Sequence, residues 1–282
     1  MKKLSSRKMR SSISSIMTYG ILIVVSVFAV FPTYWMLVTS VKPARDAYSL
    51  QPSLLPERVT LENYDFAFSW GYLRQLSNSI IVSLGTTALN LVITMFGAYG
   101  LSRFRFRGRQ VLSRSILATY VIPSSLLVVP FFLVVTTLGL YNTFLAVILA
   151  NVTFTLPFTV WTMAGYFESI PVDLEEAAMI DGCGRLGALF RIVFPLSVPG
   201  VVAVATFCFI YAWNEYLYVV ALVGSESMFT LPLGLASLLT SDIVPWGKLM
   251  GMSVLYTIPG IVFFLFLQKY MVQGLVRGAV KG

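Results

Sequence analysis

The stretch "NSIIVSLGTTALNLVITMFGAYGLSRFRFRGR", residues 78–109, changes character once, at Arg103. Residues 78–101 contain no Asp, Glu, Lys or Arg, and directly behind them come Arg103, Arg105, Arg107 and Arg109. A helix needs about 20 apolar residues to cross the hydrocarbon of a bilayer. This run has that length and reads as a spanning helix with a basic exit. Residues 17–41, 112–138, 142–166, 197–223 and 249–268 repeat the pattern. Arg114 stands at the basic end of the third run, and Glu215 lies inside the fifth. The expected fold class is an all-α membrane protein with six transmembrane helices.

Composition agrees. Hydrophobic residues make up 57% of the 282 residues and charged residues 11%, against roughly 25% charged in soluble proteins. The formal charge of +8 belongs to residues that flank apolar runs, so it reads as membrane orientation and not as nucleic-acid binding. The chain has no histidine, which removes the commonest metal ligand and the commonest general base. Cys183 and Cys208 have no motif spacing and read as small apolar fillers. No catalytic or metal-ligating set emerges.

The basic residues fix an orientation. With the N-terminus inside, the inner segments hold Lys2, Lys3, Arg7, Lys8, Arg10, Arg103, Arg105, Arg107, Arg109, Arg114, Arg185, Arg191, Lys269, Arg277 and Lys281. The outer segments hold Lys42, Arg45, Arg58, Arg74 and Lys248. Loops rich in Lys and Arg stay in the cytoplasm, so both termini are expected inside. The opening "MKKLSSRKMRSS" is like a signal-peptide basic region, but the apolar run behind it is too long and lacks a small-residue cleavage site. It is expected to remain as the first span.

The organisation that follows is a cytoplasmic segment 1–16, a first transmembrane helix 17–41 and an extracytoplasmic segment 42–77. A core over 78–268 holds spans 2–6, a cytoplasmic loop 167–196 between spans 4 and 5 and an extracytoplasmic loop 224–248, and a cytoplasmic tail 269–282 follows. Segment 42–77 is expected along the membrane surface, and 224–248, broken by Pro232, Gly234 and Pro245, as a loop dipping toward the bundle. Pro32, Pro123, Pro130, Pro157 and Pro259 fall inside apolar runs and read as kinks that neighbouring helices accommodate.

The loop 167–196 is unlike the rest of the chain. Pro171 suits a first helical position, and Asp173 and Glu175 suit the positive end of a helix. Gly182 suits a left-handed C-terminal cap. A second short helix over about 184–194 places Leu186, Leu189, Phe190 and Val193 on one apolar face, and Pro195 ends it. Burying its seven charges in hydrocarbon would cost on the order of 20 kcal/mol, so the segment stays in the cytoplasm. It is either an amphipathic loop on the bilayer or a rigid hairpin shaped to push or be pushed.

The order Glu176-Ala177-Ala178, Gly182, Ile192 and Phe194-Pro195 resembles the "EAA" signature of permease subunits of ATP-binding-cassette importers, with Phe194 where that signature has leucine. Residues 78–109, "YAWNEYLYVVAL" (211–222) and "VQGLVRGAVKG" (272–282) are similar to the sugar-importing branch, in particular to the smaller maltose-importer permease. The resemblance covers about residue 60 to the end. It implies a bacterial cytoplasmic membrane protein that passes a sugar inward beside a second homologous permease. Two ATPase subunits would bind ATP and Mg, and an extracytoplasmic solute-binding protein would deliver the sugar. This chain has no G-x-x-x-x-G-K-[ST] loop, so it is expected to hold no cofactor and to be no enzyme. The hairpin becomes a helix-turn-helix coupling loop, with Glu176, Ala177, Ala178, Asp181, Gly182, Leu186, Phe190, Ile192 and Pro195 as its residues.

In the fifth run Tyr211, Asn214, Glu215 and Tyr218 fall at i, i+3, i+4 and i+7, one face of a continuous helix. A charge at that depth faces a wet route or the bundle interior. These four residues either line the substrate pathway or tie the span to a neighbour. Asn90, Asn151 and Thr153 read as interhelical hydrogen bonds. A permease for a non-sugar solute remains an alternative, and an ion-coupled carrier is disfavoured by the single deep acid.

Overall fold

The computed structural model describes the backbone of residues 2–49 and 53–279, and the side chains of residue 15 and of residues 17–49 and 53–268. The basic side chains of both termini lie outside that set, as do all side chains of the tail 269–282. Among the described residues all regular structure is helical, as an all-α reading requires. Helix α1 runs Lys2–Ser40, and a single turn, α2, covers Ala44–Ala47. Helix α3 is Trp70–Arg103, α4 is Arg109–Thr119, α5 is Val128–Thr137 and α6 is Phe144–Glu168. The loop hairpin contributes α7, Asp173–Ile180, and α8, Arg185–Ala188, followed by a π turn Leu189–Val193 and by α9, Phe194–Leu196. Helices α10, Val198–Trp213, α11, Leu217–Leu222, α12, Leu231–Leu239, and α13, Trp246–Ala279, complete the chain.

Among the described residues four helices are long and apolar enough to cross a membrane, and the number rises to six if each of two bent pairs is one span. The first bend, 89° between Arg109–Thr119 and Ser124–Thr137, falls at Pro123 in the expected third span. The second, 80°, falls at Ser197, between Arg185–Leu196 and Val198–Trp213. Pro32, Pro157 and Pro259 lie inside unbroken helices. Only Pro123 is therefore more than a kink. Its fixed φ and the backbone N–H it lacks stop a helix that hydropathy alone would continue.

The chain divides into two compact units, residues 1–67 with 238–255 and residues 68–237 with 256–282. In the first, Lys42 and Asn63 are both buried. Asn63 Nδ2 donates to the carbonyls of Ser40 (2.9 Å) and Lys42 (2.7 Å), and Lys42 Nζ donates to Ser53 O at 2.6 Å. These bonds tie segment 42–67 together internally. Helix α3 also begins eight residues before the apolar run, because Ser69 caps it by accepting Tyr72 N–H at 3.3 Å. Hydropathy does not register helical turns that project beyond lipid.

The second unit is built on α3 and α6 packed along each other, with α10 against both. Two apolar clusters hold it together. One gathers Met95, Ala98, Tyr99, Met163, Phe167, Leu189, Val193 and Cys208, and the other Val82, Val147, Ala150, Tyr218, Val219 and Leu222. Buried polar side chains lie between the clusters along α3 and α6. Asn90 Nδ2 donates to Thr155 Oγ1 (2.8 Å), Thr94 and Thr159 both donate to Asn90 Oδ1 (2.9 Å), and Asn151 Nδ2 donates to Thr86 Oγ1 (3.4 Å). Asn90 and Asn151 thus make the expected interhelical bonds, whereas Thr153 is exposed and bonds Leu149 O of its own helix. Cys183 and Cys208 are both free, and Cys208 is core.

Candidate functional site

The hairpin starts from local chemistry. Asp173, Glu175 and Glu176 occupy the first turn of α7, where a helix end attracts negative charge. Pro171 stands two residues ahead of α7 and not at its first position, because Val172 is already its helical N-cap residue. At the other end Gly182 has φ +88°. Its N–H donates to Met179 O (3.1 Å) and Cys183 N–H to Ala178 O (3.0 Å), the paired bonds of a Schellman cap. Only glycine takes that conformation without cost.

The back of α7 is fastened to the end of α3. Glu175 Oε1 pairs with Arg103 Nε at 2.5 Å, with 7% of the arginine and 4% of the glutamate side chain exposed. Tyr99 Oη donates to Glu175 Oε2 at 2.9 Å, and Arg103 Nη2 donates to Ile170 O at 3.1 Å. Every charge in this clasp is opposed, which buried ions require. Arg109 and Glu168 form a second, more open ion pair between α4 and α6. Sequence reasoning missed the clasp. In the structure Glu175, Ala178 and Met179 at i, i+3 and i+4 are the less exposed stripe of α7, but nothing in the sequence of that helix points to Arg103.

The second limb departs from the single apolar face expected of it. The π turn adds one residue to the turn at Leu189–Val193, and the four residues split. Leu189 and Val193 are fully buried in the first cluster, while Leu186 and Phe190 are 62% and 52% exposed. Phe190 touches Phe96 edge-on (centroids 6.3 Å), and the Arg185 guanidinium lies 5.1 Å from the centroid of the Phe104 ring. Pro195 does not end the limb, which runs through α9 to the bend at Ser197. Of the expected coupling residues, Glu176, Ala177, Asp181, Gly182, Leu186, Phe190 and Pro195 are exposed, and Ala178 and Ile192 are half-buried. Ile180, which sequence reasoning passed over, is 87% exposed at the tip. The hairpin presents an acidic and apolar outer surface on a back locked into the bundle.

The face predicted for Tyr211, Asn214, Glu215 and Tyr218 is not one helix. Helix α10 stops at Trp213 and α11 begins at Leu217. Glu215, in the gap, accepts Tyr218 N–H on its Oε1 at 2.7 Å and so satisfies a backbone donor in the first turn of α11. Asn214 turns away from the other three. Its Nδ2 donates to Ile210 O at 2.7 Å, and its Oδ1 accepts Tyr256 Oη–H of α13 at 2.6 Å. Tyr211 lines a cavity of about 560 Å³ at the Pro123 bend with Tyr120, Ser124 and Thr153. Buried Tyr218 donates from its hydroxyl to Ser124 O at 2.8 Å. The structure brings Tyr211 and Tyr218 to one bend and sends Asn214 to another helix.

Comparison with known proteins gives a consistent result. Residues 90–277 match the family model described as "Binding-protein-dependent transport system inner membrane component". The chain is 39% identical over 259 residues to an inner membrane ABC transporter permease protein, YcjP, of Escherichia coli K12, covering 91% of this chain and 92% of the relative. It is 36% identical over 264 residues to the diacetylchitobiose uptake system permease protein DasC of Streptomyces coelicolor, covering 92% and 95%. Among solved structures, a bacterial ABC transporter involved in the import of the acidic polysaccharide alginate matches with a TM-score of 0.79 and 25% identity, over 92% of this chain and 96% of that one.

Proposed function

The chain belongs to the family of inner membrane components of binding-protein-dependent transport systems, and from that premise we propose that it is one permease half of an ATP-driven sugar importer. The bent pair Arg109–Thr119 with Ser124–Thr137 counts as one span and Val198–Trp213 as another, which makes six, and the 167–196 hairpin and both termini lie in the cytoplasm. The uneven spread of Lys and Arg supports this orientation. A second permease completes the translocation route, two ATPase subunits hydrolyse ATP on the inner side, and a solute-binding protein loads the outer side. The relatives named for diacetylchitobiose and alginate support a sugar as the solute.

One observation carries the coupling role. The hairpin exposes Glu176, Ile180, Leu186 and Phe190 outward while Glu175, Leu189 and Val193 lock its back. A surface so mounted transmits displacement where a loosely held loop would absorb it. In the same reading Tyr211 borders the route at the Pro123 bend, Tyr218 supports that bend from the core through Ser124, Glu215 holds the start of α11, and Asn214 acts through Tyr256. The test is purification with co-purifying partners, reconstitution, and ATPase assay with binding protein and a panel of sugars. Stimulation by at least one sugar is expected. No stimulation by any sugar, with stimulation by an amino acid, peptide or ion, would overturn the sugar assignment.

A further inference from the structure

The connection from α3 to α4 holds its arginines around one space. Arg105, Arg107, Arg109 and Arg114 line an open cavity of about 1040 Å³, with Trp161 and Glu168 of α6 on the facing wall. Glu168 is paired with Arg109. Among the described residues no carboxylate comes within 4.0 Å of Arg105, Arg107 or Arg114. Orientation in the membrane accounts for the side on which these arginines lie. It does not account for three of them lining one cavity without a counter-ion.

A second cavity of about 470 Å³ shares Arg109, Ser113, Trp161 and Glu168 with the first and continues past Leu101, Ala164 and Gly165. Exposed Phe104, Phe106 and Val111 alternate with the arginines, and Trp161 is half exposed beside them. Arginine and tryptophan side by side at the end of a span belong at headgroup depth, where an aliphatic stem meets lipid and a charged tip meets phosphate.

We propose that the two cavities together bind one anionic phospholipid. Its phosphate sits among Arg105, Arg107 and Arg114, and an acyl chain lies in the adjoining slot beside Trp161. A guanidinium offers a phosphate two parallel N–H donors, which suits arginine more than lysine. A zwitterionic lipid would bring an ammonium group toward three uncompensated arginines, so phosphatidylglycerol or cardiolipin fits and phosphatidylcholine does not. A free phosphate would leave the second cavity unfilled. Basic pockets between spans on the cytoplasmic side suit such headgroups. This inference rests on the placement of residues 103–114 at the inner membrane surface and not on the solute being a sugar.

The experiment is native mass spectrometry of the co-purified complex after exposure to phosphatidylglycerol, phosphatidylcholine or glycerol phosphate. Preferential retention of phosphatidylglycerol is expected. Arg105→Gln and Arg107→Gln should each weaken it about fivefold. Ser113→Trp fills the shared wall without touching charge and should also remove the lipid. Co-purification of the partners verifies that each variant inserts and assembles. Equal retention of the two lipids, variants that hold phosphatidylglycerol as the wild type does, or equal competition by glycerol phosphate would each overturn the proposal. So would retention by the isolated chain that disappears in the complex, since a partner chain would then occupy the cavity.

Discussion

Glu175→Gln keeps the shape of the side chain and removes one charge from the clasp between α3 and α7. Arg103, 7% exposed, is left with a buried guanidinium facing a neutral amide. Breaking a buried ion pair from one side costs about 3–5 kcal/mol, because the remaining charge is uncompensated. The clasp and the two buried residues of the second limb are what fasten the hairpin, so the cost falls on its docking. At about 1.4 kcal/mol per tenfold, even 3 kcal/mol raises the detached population more than a hundredfold. Amide hydrogen exchange over 173–196 in the reconstituted complex should quicken by that order. ATP hydrolysis should lose its response to sugar-loaded binding protein while basal hydrolysis persists. The double variant Arg103→Met with Glu175→Met replaces both charges with apolar bulk, a change often near neutral for buried pairs, and should restore slow exchange. Unchanged exchange and coupling in Glu175→Gln, or a double variant no better than the single, would refute this account of what holds the hairpin.

Gly182→Val must adopt φ +88° in a residue that disfavours it, at about 1–3 kcal/mol, with no steric contribution because nothing lies within 4 Å of the added Cβ. Gly182→Asn should lose less ATPase stimulation than valine, and equal losses would mean the left-handed cap is irrelevant. Cysteines at Glu57 and Glu226 in a Cys-free background should react with an impermeant thiol reagent in intact cells, and cysteines at exposed Ala177 and Asp181 should not. Labelling at Ala177 would invert the topology. Glu215→Leu removes the acceptor for Tyr218 N–H in the first turn of α11, at about 0.5–2 kcal/mol, and should abolish most transport in an assembled complex, whereas Glu215→Gln keeps an acceptor and part of the transport. Tyr256→Phe should lower thermal stability by about 1 kcal/mol without altering sugar preference, and a changed preference would return Asn214 to the pathway.

Residues whose behaviour is set by near neighbours in sequence were the legible ones. Four long apolar helices follow from hydropathy, the cap at Gly182 from glycine's backbone, and the interhelical bonds of the Asn90 and Asn151 amide nitrogens from the cost of leaving a donor unbonded in an apolar core. The Arg103–Glu175 pair joins positions 72 apart, and no periodicity within either helix names the other partner. The π turn was hidden because a face drawn at i, i+3, i+4 and i+7 assumes 3.6 residues per turn throughout. The break after Trp213 was hidden because hydropathy counts Glu215 as one charge in an apolar run. It cannot express that the same carboxylate competes with the backbone for Tyr218 N–H.

The hydrogen-bonded layer between α3 and α6 constrains how this bundle can deform. Sliding either helix along the other by one residue would break the Asn90–Thr155 and Thr159–Asn90 bonds at once and leave the Asn90 amide donor unpaired, with no water in the hydrocarbon to replace its partner. The pair therefore resists shear and behaves as a single strut. In the proposed coupling role, a thrust delivered by the hairpin would be carried along the strut to the places where helices are already broken. Flexure would then concentrate at the Pro123 corner, the Ser197 corner and the gap between Trp213 and Leu217, where the helices are interrupted. The Pro123 corner adjoins the cavity lined by Tyr211.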